Sequence, residues 1–432
     1  MKRIHTPILA ALLSLSSCVA LSSCSDPGTS TPPPAPGPSS AAVAEQAPPK
    51  AMPVPPADEE VSREPFKNGA AAFNEVKEAL LKGYYADGMT EDDVYRAATA
   101  GMLAQLEPRM KKYNKLLSPQ EIAEMKNDLK GEVVGAGIAI KFDEPSGYAD
   151  VLNVIPGSPA EKGGLLPGDK IVTVDGKLYK GMKLRDVVSD IRGNVGTTVK
   201  LSVLRADKLL SFTLTRDRLA YDTPSVTLID GVGLVRIPSF TEKTPAAVRA
   251  GLEELDKKGG AKALVIDLRH SPGGSFDRAL ETAELLLPEG SPIVSLKKKG
   301  KPEEVHASKG KPILGDLPAA VLVDESTASG GELLAAALRE QRKAKIVGTK
   351  TFGKWSVQSL DDLPNGWAFK YTLGLFKTPS GKSYEGVGLS PDVNVAMAED
   401  ALTKANHAKP EERSEADVQF RTAKELLVRP AQ

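Results

Sequence analysis

The chain has 432 residues, more than one ordinary domain needs and enough for two or three. Lys plus Arg and Asp plus Glu both number 56, so the net charge is zero and no basic face for nucleic acid is implied; at 5% aromatic content there is no hint of a base-stacking surface either. The two cysteines, Cys18 and Cys24, exclude an internal disulfide framework, a cysteine nucleophile in the body and a cysteine zinc site, and the four histidines form no metal-binding pattern, so neither metal nor cofactor is expected.

Residues 1–23 read as an export signal. Lys2 and Arg3 supply the charged start, and Ile8 to Leu15 an apolar core too short to span a bilayer. Leu21-Ser22-Ser23-Cys24 resembles a bacterial lipobox, which would make Cys24 a lipidated first residue. Leu15-Ser16-Ser17-Cys18 has the same form and is a rival, and a plain cleaved signal with an incidental cysteine is the blander alternative. Residues 24–60 are rich in Pro, Ala and Ser, cannot bury a core, and read as a disordered spacer.

Residues 61–130 read as a helical segment. Phe73, Val76, Ala79, Leu80 and Leu81 suggest an apolar stripe. Thr90 to Asp93 has the form of a capping box, and Ser118-Pro119-Gln120-Glu121 starts a third helix with Pro at its first position. Residues 131–216 carry strand patterns at Gly137–Ile140, Val151–Ile155 and Ile171–Val174, and Asp175-Gly176 is a hairpin turn. Pro156-Gly157-Ser158-Pro159-Ala160, Gly163-Gly164-Leu165 and Pro167-Gly168-Asp169 resemble a PDZ domain. That resemblance places Gly135, Ala136, Gly137 and Ile138 in the loop that would hold a peptide's C-terminal carboxylate. A small β-rich domain that only packs is the alternative.

Residues 217–400 alternate strand and helix. Ala263–Leu268, Ala319–Val323 and Lys345–Gly348 are apolar strand segments separated by helical stretches, the βαβ pattern of a mostly parallel sheet. In residues 401–432 a last helix spans Glu415 to Val428 and is expected to join the N-terminal helices. Ser329 follows the second strand and precedes a helix from about Gly330, a strand-to-helix turn that presents a hydroxyl beside free helix N–H groups. Lys354 lies 25 residues on, flanked by Phe352 and Trp355, which could desolvate it. A lysine of lowered proton affinity can take the serine proton. Taken singly, Ser329 could be a helix cap and Lys354 a solvated side chain.

Thr327-Ala328-Ser329-Gly330-Gly331-Glu332, Thr351-Phe352-Gly353-Lys354 and Val357-Gln358 resemble the C-terminal processing (tail-specific) peptidases, serine proteases with a Ser-Lys dyad. The resemblance covers about residues 70–430 and departs from the family pattern at Glu107-Pro108-Arg109-Met110, Ser271, Gly331 and Trp355. It implies a multidomain α/β protein: a helical N-terminal segment, a PDZ-like β-rich domain and a serine protease domain related to the crotonase and Clp protease cores. It implies Ser329 as nucleophile, Lys354 as base, Gln358 as the residue that hydrogen-bonds and orients the lysine, and the Gly273 and Gly330 N–H groups as oxyanion hole. Glu332 would bind substrate backbone or complement the helix N-terminus. The implied activity is endoproteolysis of unfolded or flexible-tailed proteins near their C-termini, in a bacterial cell envelope, on a membrane anchor. An adaptor protein and a homo-oligomer through the terminal helices are left open. Two rivals remain: a catalytically silent PDZ-containing scaffold lipoprotein, and an esterase-like enzyme pairing Ser329 with His270, against which the absence of G-x-S-x-G argues.

Overall fold

A computed structural model describes residues 65–428 except 66, 107, 144–145, 156, 183, 221–222, 399–400, 403 and 406–407. The expected export signal, Cys24 and the 24–60 spacer lie outside the described residues. The described part divides into two units, with the boundary at Arg96 and Ala97 inside the helix Glu91–Ala104.

In the first unit the helix Gly69–Gly83 precedes the start of Glu91–Ala104. The Thr90 cap forms as expected: the Thr90 N–H donates to Asp93 Oδ2 at 3.0 Å, and the Asp93 N–H to Thr90 Oγ1 at 3.2 Å. The expected apolar stripe is only half covered. Val76 is 58% exposed, while Lys77 is buried, its ammonium held by Glu91 and, at 3.2 Å, by the Tyr95 hydroxyl.

The second unit begins with the end of the helix Glu91–Ala104, followed by the 3₁₀ turn Pro108–Tyr113, the short strand Lys115–Leu117 and the helix Pro119–Lys130. Ser118 and Glu121 close a capping box on that helix, with the Ser118 N–H donating to Glu121 Oε2 at 2.9 Å. A β-rich module follows. Its sheet runs in the order Ile138–Asp143, Tyr148–Val154, Lys170–Val174, Thr198–Arg205, Lys208–Thr215, and it is entered and left through a two-stranded ribbon, Glu132–Gly135 with Asp217–Ala220. Asp175 and Gly176 both take positive φ (49° and 83°), which turns Lys170–Val174 into the strand Lys177–Leu178. Ile171, Val174, Val199, Leu201 and Val203 fill its core with Val187 and Ile191 of the helix Leu184–Ile191.

Beyond this module the sheet order is Ser225–Ile229, Val232–Arg236, Ala263–Asp267, Ala319–Val323, Lys345–Gly348 and Val393–Asn394; every pairing after the first hairpin is parallel. The central strands are buried on both faces, and the two-residue period sorts their side chains between two cores. Leu264, Ile266, Val321 and Val323 pack with the helices Thr244–Lys258, Phe276–Glu284 and Gly330–Arg342. Val265, Ala320 and Leu322 pack with Phe420 and Ala423 of the helix Val418–Val428. The sequence reading made 415–428 one continuous helix; it is broken at Asp417, whose φ of −116° and ψ of 94° are extended. Its inner side closes the second face of the sheet. A second, antiparallel sheet of Lys115–Leu117, Pro292–Lys298, Glu304–Ala307, Ser356–Asp362 and Ala368–Lys377 stands beside the first.

Candidate active site

Three neighbouring parallel strands each end in a loop of the site. Ala263–Asp267 leads to Gly273, Ala319–Val323 to Ser329, and Lys345–Gly348 to Lys354. Parallel strands side by side put their C-terminal loops at one edge, so the topology brings together segments far apart in sequence.

Ser329 is the N-cap of Gly330–Arg342 and has φ 53°, ψ −113°. A side chain with a Cβ avoids that region, and holding it costs about 1–3 kcal/mol. Surrounding bonds enforce it. The Ser329 N–H donates to Glu332 Oε2 at 3.0 Å, the Ala328 N–H to Ser271 O at 2.9 Å, and the Phe352 N–H to Thr327 O at 3.0 Å. Ser326 and Thr327, the other hydroxyls of the turn, do not cap the helix; Thr327 Oγ1 donates to Leu268 O at 2.8 Å.

Glu332 is fully buried and joins the serine to the lysine. Its Oε2 also accepts the Lys354 N–H at 2.8 Å, while Oε1 accepts the Thr351 hydroxyl at 2.5 Å and the Gly353 N–H at 2.9 Å. One oxygen shared by both amides keeps the Ser329 and Lys354 nitrogens no more than about 6 Å apart. Of the two roles offered by the sequence, the carboxylate takes the one at the helix N-terminus, where it accepts the N-cap Ser329 N–H, and with its accepting sites occupied it also binds the turn to the lysine loop rather than a substrate. Burial pushes its proton affinity up, and the four donors oppose that.

Lys354 is fully buried. Burial, the nearby Lys370 and, more weakly, Lys112 depress its pKa to about 7, against the pull of Glu385 and Glu332. Its Nζ lies 5.3 Å from the centre of the Tyr113 ring. Tyr113, not Trp355, is therefore the aromatic lid of the lysine. Trp355 points into the core, 4.8 Å from Phe376 and 5.1 Å from Tyr384 between ring centres. The alternation of side chains along extended backbone sends neighbours to opposite faces. Gln358 also departs from expectation. Its Nε2 donates to Ser356 Oγ at 3.1 Å, and its buried Oε1 has no partner among the described residues, so it accepts no hydrogen bond from Lys354.

Gly273 and Gly330 do meet. Gly273 has φ 95°, and a Cβ there would lie 2.8 Å from Ser329 Cβ and 2.9 Å from Gly330 N, so only glycine fits. The Phe240 N–H pins the Gly273 carbonyl at 2.9 Å, and among the described residues neither the Gly273 nor the Gly330 N–H has an acceptor. Ser271 is buried with its Oγ unpartnered among the described residues. His270 is turned to Asp324: its N–H donates to Oδ2 at 2.9 Å, and its Nε2 lies 3.1 Å from the same oxygen. Asp324 also accepts the Ser326 and Thr327 N–H groups, at 3.0 and 2.9 Å. Sequence reading missed four residues that carry no local motif: Tyr113 from a turn far away in the chain, Asp324 on the turn that leads to Ser329, and Lys370 and Glu385 on the strand and loop that follow Lys354.

In the β-rich module Gly135 ends the entry ribbon, Ala136 and Gly137 are buried, and Ile138 begins the edge strand. The Ala160 N–H donates to Ala136 O at 2.8 Å, and the helix Leu184–Ile191 packs near that strand.

The chain matches the peptidase family S41 pattern over residues 231–395 and the PDZ domain pattern over residues 151–205. A carboxy-terminal-processing protease of Bartonella bacilliformis is 33% identical over 334 residues, 75% of this chain and 74% of that protein. A carboxyl-terminal-processing protease of a Picosynechococcus species is 32% identical, covering 78% of this chain and 80% of its own. Among solved structures, a photosystem II D1 C-terminal processing protease is 30% identical, with a TM-score of 0.51 over 75% of this chain and 88% of that one. Family pattern, relatives and fold agree, and the chain belongs to peptidase family S41, the serine-type C-terminal processing peptidases, with a PDZ domain ahead of its protease sheet.

Proposed function

We propose that Ser329 attacks the scissile carbonyl, that Lys354 takes its proton and returns it to the leaving amine, and that the Gly273 and Gly330 N–H groups receive the oxyanion. The observation that carries this reading is a fully buried lysine clamped through Glu332 to a serine on a positive-φ turn, in a setting where burial pulls the lysine pKa down to about 7. Each oxyanion donor is worth roughly 2.7–4 kcal/mol in comparable enzymes. Gln358 acts on the site through Ser356. Substrates are proteins with unfolded or flexible tails, cut near the C-terminus. The edge strand Ile138–Asp143 and the Gly135–Ile138 loop admit such a tail as an added strand. A loosely folded protein incubated with the variants tests the dyad. Ser329→Ala and Lys354→Ala should lower cleavage by about 10²–10⁴-fold or more while His270→Ala keeps most of it; a dead His270 variant beside an active Lys354 variant overturns the assignment.

The lipobox-like Leu21-Ser22-Ser23-Cys24 supports anchoring through Cys24 on the outer side of a bacterial membrane. No helix among the described residues is long and apolar enough to cross a membrane. Mass spectrometry of the mature N-terminus should find a diacyl or triacyl Cys24, and an unmodified terminus within the spacer removes the anchor.

A further inference from the structure

Proton transfer from Ser329 creates an ammonium on Lys354 in a place sealed from water. The surroundings must receive that charge, because an isolated buried cation is strongly disfavoured. The charged or titratable groups that face Lys354 are Lys112 and Tyr113 on the turn Pro108–Tyr113, Glu332 on the helix Gly330–Arg342, Lys370 on the strand Ala368–Lys377, and Glu385 on the loop after that strand. Lys112 is exposed and sits over the Phe352 ring, and Glu332 already serves four donors. Lys370 is buried and of the same sign as the new charge.

Glu385 differs from all of these. Its half-buried carboxylate accepts the Trp355 N–H at 2.6 Å, directly after the lysine in sequence. The Gly386 N–H donates to Gly353 O at 2.8 Å, directly before it, and a Cβ on Gly353 would come within 2.6 Å of Gly388 N. The loop therefore lies on the backbone at both sides of Lys354. Ser356, which also faces the Glu385 carboxylate, accepts from Gln358 Nε2.

We propose that Glu385 is a positioning residue of the dyad: its carboxylate is the counter-charge for the Lys354 ammonium, and Lys370 opposes it from the neighbouring strand. The inference rests on the Ser-Lys reading above. As the bond from Ser329 Oγ to the carbonyl carbon forms, the hydroxyl proton goes to Lys354 Nζ. As the C–N bond breaks, the proton goes on to the leaving nitrogen. Burial raises the Glu385 proton affinity, and the Trp355 N–H, Lys112 and the lysine itself oppose that; in this scheme Glu385 acts as the carboxylate and exchanges no proton. Gln358 donates to Ser356 Oγ, and Ser356 in turn faces this carboxylate.

The test uses the full chain and two readouts. One is kcat/KM for a peptide substrate from pH 5 to 10. The other is the pH dependence of Lys354 acylation by an amine-reactive reagent, read by mass spectrometry in a Ser329→Ala background, which needs no activity. In the parent both rise through about pH 7. Glu385→Gln keeps an acceptor for the Trp355 N–H but removes the charge. It should move both midpoints to lower pH by about half to one unit and lower the rate plateau about 3–10-fold. Lys370→Met should move the midpoints the other way. An acylation midpoint that Glu385→Gln leaves in place or raises overturns the proposal and reduces Glu385 to a backbone anchor. Undiminished cleavage by Lys354→Ala would instead overturn the dyad reading itself, so the two failures are told apart.

Discussion

Lys354 carries an electrostatic cost that depends on pH. Its pKa falls from 10.5 to about 7, with burial the main cause and Lys370 the next. Between those values the unfolded chain holds a proton that the folded chain does not, so stability rises with pH across the window of about 7 to 10.5. Below pH 7 the folded protein holds a charged lysine out of water and is less stable by up to about 5 kcal/mol than it is above pH 10.5, as far as this group is concerned. Lys354→Met should therefore be inactive yet more stable than the parent at pH 6, with the advantage shrinking toward pH 10. Denaturant melts at the two pH values check this, and an equal difference at both would show that the lysine is not held in an unfavourable charge state. Gln358 shows the limit of motif reading at this scale. Its place in the motif matches the resemblance, but its hydrogen bond goes to Ser356.

At the scale of elements, the turn before Gly330–Arg342 and the loop after Lys345–Gly348 form one rigid body through a single carboxylate. Four donors converge on Glu332, two from the backbone of Ser329 and Lys354 themselves. Glu332→Ala leaves those donors buried without partners, and each hydrogen bond to a charged acceptor contributes about 1.5–3 kcal/mol. A loss of roughly 3–5 kcal/mol and a fall in kcat larger than any change in KM are expected, because the strained φ of Ser329 loses its restraint. Thermal melts and steady-state kinetics together decide it: unchanged kcat in a destabilised protein would mean the clamp only holds the fold. The strand starts and caps were legible because they depend on residues within one turn of each other. Ser118 with Glu121 and Thr90 with Asp93 are of this kind, and both form.

Across the whole molecule, a buried ion network ties the Gly273 loop to the last helix. The Arg269 guanidinium donates to Asp267 at 2.6 and 2.8 Å and to Asp417 at 2.8 and 3.0 Å, and Arg413 joins Asp417 at 2.8 Å. Arg269 and, to a lesser degree, Arg413 hold the Asp267 carboxyl below the usual range although burial alone would raise it. The break in the C-terminal helix at Asp417 thus places a carboxylate beneath the protease loop. The PDZ module enters and leaves through one ribbon, Glu132–Gly135 with Asp217–Ala220, so it is coupled to the protease at a single place in the chain path. If its loop reads a free C-terminus, amidating the substrate's last residue weakens charge-assisted bonds. Cleavage should slow by about tenfold for about 1.4 kcal/mol lost. Equal rates for free and amidated substrate in the intact chain would remove the recognition role.

The sequence by itself determined the βαβ strands, the Asp175-Gly176 hairpin, the PDZ-like turns and the Ser329 and Lys354 motifs. Each depends on apolar periodicity or turn chemistry within a short window. Only the tertiary structure decided what surrounds Ser329 and Lys354: Tyr113 over the lysine, Glu385 and Lys370 near it, Asp324 holding His270, and Asp417 beneath Arg269. The reason is physical. Burial, and with it proton affinity, is set by side chains from separate turns, strands and loops, among them Tyr113, Lys370 and Glu385, that meet only in the folded chain.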